Sequence, residues 1–159
     1  MLKTYPIPTA KNEEAQIRQA IDEFTQALRF KNIEKIMLLY APDVVSFDIQ
    51  PPLLSVGAEA YRKKWQEAFA GVDGPFGFEV REPRIIVSGE MAYVYSLNHV
   101  NLTLKEGGKK VDMWLRWSSC FRKVDGRWIV THEHISVPTD METGQAMVNL
   151  KPLPLSGAW

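Results

Sequence analysis

Two carboxylates stand in apolar surroundings where acid/base chemistry is possible. Asp48 lies between two apolar residues of a short alternating stretch, and Glu133 lies between two histidines of a longer one. Burial disfavours a charged carboxylate, so such a group can take or give a proton near neutral pH. Asp48 and Glu133 are therefore the candidate catalytic residues. The alternatives are an aspartate bonded to amides of the following turn and a glutamate paired with an arginine such as Arg116 or Arg122.

Two further residue types could bind a metal ion or act as a nucleophile. His132 and His134 are separated by one residue, a spacing that several zinc enzymes use. A third ligand would have to be the distant His99. The histidines could instead stabilise sheet or dimer contacts by hydrogen bonds. Cys120, the single cysteine, has no base beside it in the sequence. We therefore predict acid/base chemistry without a metal ion and without another cofactor.

Composition limits the class of protein. The 159 residues include 19 basic and 19 acidic ones, so the chain has no net charge to attract nucleic acid or anionic lipid. One cysteine excludes an internal disulfide, and no apolar run approaches the ~20 residues that span a bilayer. The first residues lack the apolar centre of a signal peptide. We expect a single cytoplasmic domain with no nucleic acid or membrane partner.

The elements that position these residues follow from sequence periodicity. The second half of the chain alternates apolar and polar residues, which is typical of β-strands. Asp125-Gly126 joins two long alternating runs and is a strong hairpin signal. The predicted strands are residues 78–87, 91–104, 110–123 and 127–137.

The first half of the chain predicts helices. Apolar residues recur at helical spacing from Asn12, a possible N-cap, to about Phe30. Asn32 can begin a second, shorter helix that Pro42 ends. The remaining predicted segments are a strand at 44–49, a helix at 58–69, a loop at 71–77 and an irregular tail at 139–159.

Helices followed by a four-stranded meander predict the α+β class. We expect a curved antiparallel sheet wrapped around the N-terminal helices. The concave space between the sheet and the helices is the expected position of an internal pocket.

The chain resembles the SnoaL-like family of the ketosteroid isomerase and nuclear transport factor two superfamily. The resemblance rests on the element order and on three segments, FDIQPP, GAEAYRKKW and DGRWIVTHEHISVP, and covers about residues 12–138. It implies a cone-shaped sheet, a pocket inside the cone and a homodimer. Because the superfamily includes isomerases, cyclases, dehydratases, hydrolases and binding domains, the resemblance implies the fold more strongly than the activity.

The resemblance also assigns roles to individual positions. Asp48 falls at the position of the general base of ketosteroid isomerase, whereas Phe24 and Ser119 fall at the positions of its two oxyanion donors. His132 and His134 fall on the outer face. The residues that the resemblance places in or beside the cavity as ligand-binding candidates are Trp65, Asn98, Trp117, Ser119 and Ile135.

The outer face of the predicted sheet is the expected dimer interface. Too much aromatic surface would otherwise stay in water. The residues assigned to this face are Tyr93, Tyr95, Leu97, Trp114, Trp128 and Val130.

Two functions are compatible with the sequence. The first is acid/base catalysis of the isomerase, cyclase or dehydratase type on a small apolar carbonyl or polyketide-like compound. In that case Asp48 takes a proton beside the carbonyl, and Asn98, Ser119 or water holds the developing oxyanion. The second is a domain that binds a small molecule, or assembles as a dimer, without catalysis.

Overall fold

The computed structural model describes residues 10–153 and contains three helices and six strands in that range. The helices are α1 (Ala10–Arg29), α2 (Ile33–Met37) and α3 (Ala58–Ala70). The strands are β1 (Tyr40–Phe47), β2 (Ser55–Val56), β3 (Val72–Ser88), β4 (Met91–Leu104), β5 (Lys110–Val124) and β6 (Arg127–Ser136). No helix in this part of the chain is long and apolar enough to cross a membrane.

The six strands form one sheet in the order β2-β1-β6-β5-β4-β3. Neighbouring strands are antiparallel except for β1 and β6, which run parallel. The predicted α+β class, with a curved sheet against N-terminal helices, is confirmed. The sheet is mixed rather than wholly antiparallel, because β1 joins it beside the last strand of the meander.

Helix α1 covers the concave face of the sheet with an apolar stripe at helical spacing. It begins two residues before Asn12, so this residue lies inside the helix rather than at its cap. Asn32, by contrast, caps α2 as predicted, since its side chain accepts a hydrogen bond from the Lys35 amide. The buried apolar residues of α1 are Ile17, Ile21, Phe24, Ala27 and Leu28.

Two segments adopt extended structure where other structure is expected. Residues 40–42 begin β1 instead of ending the second helix. Pro42 is tolerated there because it lies in a register shift between Tyr40 and Val45, where no ladder bond is lost. The predicted loop at 71–77 is mostly strand, since β3 begins at residue 72. Gly77 allows this, because a Cβ atom there would lie 2.2 Å from the Asn101 carbonyl oxygen.

A β-bulge in β6 changes which side chains face the helices. Cys120 pairs with His132, but the next residue, Phe121, pairs with Val130, so Thr131 is an extra residue in β6. Side chains on the N-terminal side of the bulge therefore point to the face of the sheet opposite to the one that strict alternation predicts. Trp128 and Val130 are buried in the core on the helix side. Their assignment to the outer face is wrong for this reason.

The inverted Trp128 forms part of a buried clamp between α1 and the β5–β6 hairpin. The carboxylate of Glu13, which is 6% exposed, accepts a 2.7 Å hydrogen bond from Trp128 Nε1. Its two oxygens also lie 2.8 and 2.9 Å from Lys123 Nζ. The Lys123 hydrogen bond lowers the pKa of Glu13, so this carboxylate is charged at neutral pH.

The described part of the tail folds back on itself and onto the sheet. Thr139 pairs with Ala146 in an isolated bridge, and Asp140 accepts hydrogen bonds from the amides of the turn between them. Farther along, Lys151 Nζ lies 2.7 Å from the Asp112 carboxylate of β5. The sequence also predicts an irregular lead at residues 1–11; residues 1–9 of that lead and residues 154–159 of the tail lie outside the described residues.

We predict that Glu13→Ala lowers the free energy of unfolding by about 2–3 kcal/mol, because it leaves Lys123 and the Trp128 indole N–H without their shared acceptor. Urea unfolding monitored by fluorescence measures the change. The matched control is Glu14→Ala, which removes an exposed pair with Arg18 and is expected to cost less than about 1 kcal/mol. Equal losses in the two variants would contradict the clamp.

We also predict a homodimer formed through the outer face, now reduced to Tyr93, Tyr95, Leu97 and Trp114. Tyr93 is 45% exposed, and its ring lies 5.7 Å from that of Tyr95. Sedimentation at tens of micromolar (roughly the range for an obligate interface) should show a dimer. Tyr93→Glu should shift it toward monomer, because a charge would be buried at the contact. A monomeric wild type contradicts the prediction.

Candidate functional site

A cavity of about 330 Å³ lies between the concave face of the sheet and helix α3. Aliphatic and aromatic side chains form most of its wall, as in many small-molecule sites. The aromatic residues that line it are Phe24, Tyr40, Tyr61, Trp65, Phe76, Phe78 and Trp117. The polar residues that line it are Asp48, Gln50, Lys64, Asn98 and Glu133.

Glu133 lies in the cavity wall and is only 1% exposed. The Tyr61 hydroxyl donates a hydrogen bond to its Oε1. Its Oε2 accepts from Trp117 Nε1 at 3.1 Å and from the Tyr40 hydroxyl at 3.4 Å. All three donors are neutral, and no arginine takes part. The predicted alternative of a pair with an arginine such as Arg116 or Arg122 is wrong, because Tyr61, Trp117 and Tyr40 are the partners of this carboxylate.

The protonation of Glu133 is set by burial. Removal from water raises the pKa of Glu133 to about 7, and the hydrogen bonds from Tyr61 and Trp117 oppose this rise. The nearby charge of Asp48 also contributes to the raised pKa of Glu133. Burial also raises the pKa of Tyr40 and of Tyr61 well above the usual value, so both phenols remain hydrogen-bond donors. Glu133 can therefore accept or release a proton near neutral pH.

Asp48 lies just beyond the end of β1 and also lines the cavity, as the resemblance implied. Its Oδ2 lies 3.3 Å from Lys64 Nζ, and each of the two side chains is 19% exposed. Its Oδ1 is 3.5 Å from the Gln50 amide nitrogen, the turn contact expected as the alternative. Asp48 thus has a charged partner, in contrast to the buried neutral donors around Glu133.

The other predicted ligand-binding residues divide into two groups. Trp65, Asn98, Trp117 and Ile135 all line the cavity. Ser119 is buried but is absent from the cavity wall, because its hydroxyl donates to the His132 carbonyl at 3.2 Å. Two of these wall residues have polar groups that are already hydrogen-bonded. The Trp117 indole N–H donates to Glu133, and the Asn98 side-chain oxygen accepts from the Ser96 hydroxyl at 2.6 Å.

Three site residues were missed by sequence reasoning, namely Tyr40, Tyr61 and Lys64. Tyr40 and Tyr61 lie at apolar positions of helical spacing in the sequence, although a phenol in a core needs a polar partner. That requirement is the signal that could have directed attention to a buried acceptor such as Glu133. Lys64 gave a weaker signal, a basic residue next to Trp65 on the inward side of α3.

The two histidines of β6 have structural contacts on the outer face, as the resemblance implied. His132 Nδ1 lies 2.9 Å from the Val45 carbonyl oxygen and so connects β6 with β1. The Phe47 ring contacts both imidazoles edge-on, with centroid distances of 4.8 and 5.7 Å. His99 lies 3.1 Å from Asp112. Within residues 10–153 no three His, Cys, Asp or Glu side chains are grouped so that they could hold a metal ion.

Several solved protein structures have a fold similar to that of this chain. An NTF2-like protein of unknown function from Pseudomonas putida KT2440 is 33% identical, with 90% of this chain and 99% of that chain covered and a TM-score of 0.80. A protein from Novosphingobium aromaticivorans, provisionally named a scytalone dehydratase, is 18% identical, with coverage of 78% and 83% and a TM-score of 0.71. A ketosteroid isomerase-like protein from Erwinia carotovora atroseptica is 22% identical, with coverage of 78% and 95% and a TM-score of 0.67.

Sequence comparison identifies the family. No curated protein sequence matches the chain. The sequence model of the SnoaL-like domain matches residues 17–140, which is most of the chain and includes every candidate site residue. The two structures below 25% identity support the fold alone. Together with the 33% identical relative, the family match establishes that this chain belongs to the SnoaL-like family, with the fold of the NTF2-like superfamily.

Proposed function

We propose that this protein is an acid/base enzyme of the isomerase or dehydratase type that acts on a small apolar carbonyl compound without a metal ion. One observation carries the proposal: Glu133, a carboxylate with a pKa of about 7, stands in the wall of an apolar cavity. A general base is most effective when its pKa is near the working pH. The aromatic wall favours a substrate with one or two apolar rings.

The chemistry follows from the position of Glu133. Its ionised form takes a proton from the carbon next to the carbonyl, and the C–H electron pair becomes the double bond of an enolate. In an isomerase the same carboxyl group returns the proton to a more distant carbon. In a dehydratase the enolate expels a hydroxyl group from the β-carbon, and the Glu133 proton leaves with it as water. Both reactions regenerate the carboxylate.

The proposed roles differ from those assigned by resemblance. Glu133 has remaining acceptor capacity, because a carboxylate offers about four lone-pair sites and three are used. Asp48 Oδ2 lies 3.3 Å from Lys64 Nζ, so one of its two oxygens is already engaged by an ammonium group. We therefore assign proton transfer to Glu133 and an electrostatic role to Asp48.

One observation favours a second candidate, a binding domain without catalysis. The three donors around Glu133 come from β1, α3 and β5, so the carboxylate also connects these elements. A carboxylate with only that structural role would need no substrate. The same cavity would then hold an apolar compound without changing it.

We expect the free energy of unfolding to depend on pH through Glu133. The folded pKa of about 7 lies above the ordinary value of 4.5, so the folded state binds this proton more tightly. The stabilising contribution is complete below about pH 4.5 and is lost as the pH rises through about 7. Relative to Glu133→Gln, the wild type should lose about 2–3 kcal/mol between roughly pH 5 and 8. Urea unfolding across this range measures the difference, and a constant difference would contradict the raised pKa.

Catalysis is tested with one- and two-ring β-hydroxy ketones and β,γ-unsaturated ketones, followed by absorbance of the conjugated product. We expect Glu133→Gln to reduce kcat by about 10²–10⁴, since it removes the general base. Glu106→Gln, in the exposed β4–β5 turn, is the matched control and should retain wild-type activity. A 3-keto-Δ5 steroid should react much more slowly than with ketosteroid isomerase, because Phe24 and Ser119 replace both of that enzyme's oxyanion donors and one other donor would not replace two.

Three outcomes separate the alternatives. If Asp48→Asn loses all activity while Glu133→Gln remains active, Asp48 rather than Glu133 is the general base. No turnover of any ketone, together with binding that is unchanged in Glu133→Gln, would favour the binding domain. Circular dichroism and thermal unfolding show whether each variant is folded before its activity is compared.

A further inference from the structure

Lys64 is the only cation among the described residues that line the cavity. It lies on the same face of α3 as Tyr61, Trp65 and Ala68, which also line the cavity and follow the i, i+3, i+4, i+7 spacing of one helical stripe. Its ammonium group carries three N–H donors, and in the described structure it donates one hydrogen bond, to Asp48. At least two donors of a partly buried cation are therefore left for a molecule in the cavity.

Most of the other N–H and O–H donors of the cavity wall already have partners within the protein. The hydroxyls of Tyr40 and Tyr61 and the indole N–H of Trp117 all donate to Glu133. The Trp65 indole nitrogen is fully enclosed and has no partner in the described structure. Asn98 has its oxygen held by Ser96, which leaves its amide N–H groups as a neutral second donor. A negative charge that forms in this cavity can therefore be neutralised by Lys64 alone.

We propose that Lys64 is a catalytic residue that binds the substrate carbonyl oxygen and stabilises the oxyanion formed when Glu133 removes the adjacent proton. This inference rests on the proposed acid/base function and completes it. The substrate class narrows to compounds whose carbonyl oxygen and acidic C–H can reach Lys64 and Glu133 at once.

The reaction balances with these two residues. The C–H bond breaks, an O–H bond forms on Glu133, and the carbonyl π electrons move to the oxygen beside Lys64. No proton moves to Lys64, which contributes charge and N–H hydrogen bonds only. Loss of a single preorganised donor of this kind typically lowers turnover by about 10²–10³.

Asp48 then has a positioning role. Its Oδ2 holds the Lys64 ammonium at 3.3 Å, in the cavity wall rather than in solvent. Its negative charge also weakens the field that Lys64 presents to an oxyanion. Asp48→Asn should consequently strengthen anion binding as long as Lys64 remains in the wall.

Binding of 2-naphthol tests the assignment without a known substrate, because its absorbance distinguishes the neutral phenol from the phenolate. Wild-type protein should bind the phenolate more tightly than 2-methoxynaphthalene, which has the same rings and cannot ionise. Lys64→Met should weaken phenolate binding roughly 10–100-fold and leave 2-methoxynaphthalene binding unchanged. Lys64→Arg should retain most of the phenolate affinity.

Two controls make the test specific. Lys63→Met removes the neighbouring lysine, which is 76% exposed on the other side of α3, and should bind both compounds like the wild type. The double variant Asp48→Asn/Lys64→Met distinguishes hydrogen-bond donation from Lys64 to the phenolate from repulsion of the phenolate by Asp48. Weak phenolate binding in the double variant supports donation by Lys64, whereas wild-type binding there shows that Lys64 only masks Asp48 and overturns the proposal.

Different results would show that the role of Lys64 is wrong and that the proposed acid/base function is wrong. If Glu133→Gln abolishes turnover while Lys64→Met binds phenolate like the wild type, the acid/base function stands and the role of Lys64 is wrong. If no ketone is turned over but Lys64→Met loses phenolate binding, Lys64 is an anion-binding residue of a non-catalytic cavity, and its catalytic role is wrong.

Discussion

The architecture of this protein depends on the solvation of one buried carboxylate. Glu133 is removed from water, and such a group is tolerated only when protein donors replace its hydration. Tyr40 of β1, Tyr61 of α3 and Trp117 of β5 supply those donors. Each donor fixes the distance of its own element from β6. The same arrangement that satisfies Glu133 therefore assembles the wall of the cavity around it.

The charges of the cavity are distributed unevenly, and this asymmetry gives the site its chemical character. Glu133 has neutral neighbours and a pKa of about 7, so a proton can enter and leave at little cost near neutral pH. Asp48 and Lys64 form a charged pair that is partly exposed at the same cavity. The proposed proton-transfer group and the proposed charge-stabilising group thus stand in separate parts of one apolar space, an arrangement consistent with the proposed enolate chemistry.

A single extra residue in β6 allows Trp128 and Glu133, which lie on the same strand, to face the same side of the sheet. Before the bulge at Thr131, Trp128 points toward α1 and donates to Glu13; after it, Glu133 points into the cavity. Without the bulge, strict alternation would place one of these two side chains on the outer face. The bulge thereby lets one strand hold the N-terminal helix with one end and the site with the other.

The sequence alone determined the helices, the hairpin at Asp125-Gly126, the α+β class and the two carboxylates, because periodicity and turn residues are local signals. Tertiary structure decided the parallel partner of β1, since strand pairing across 90 residues leaves no local trace. It also decided the outward or inward position of Trp128, because a bulge depends on register with the neighbouring strand. The donors of Glu133 and the pairing of Lys64 with Asp48 were likewise tertiary outcomes, since they join residues that only packing brings together. The pKa of about 7 is a property of that assembled environment and of no residue by itself.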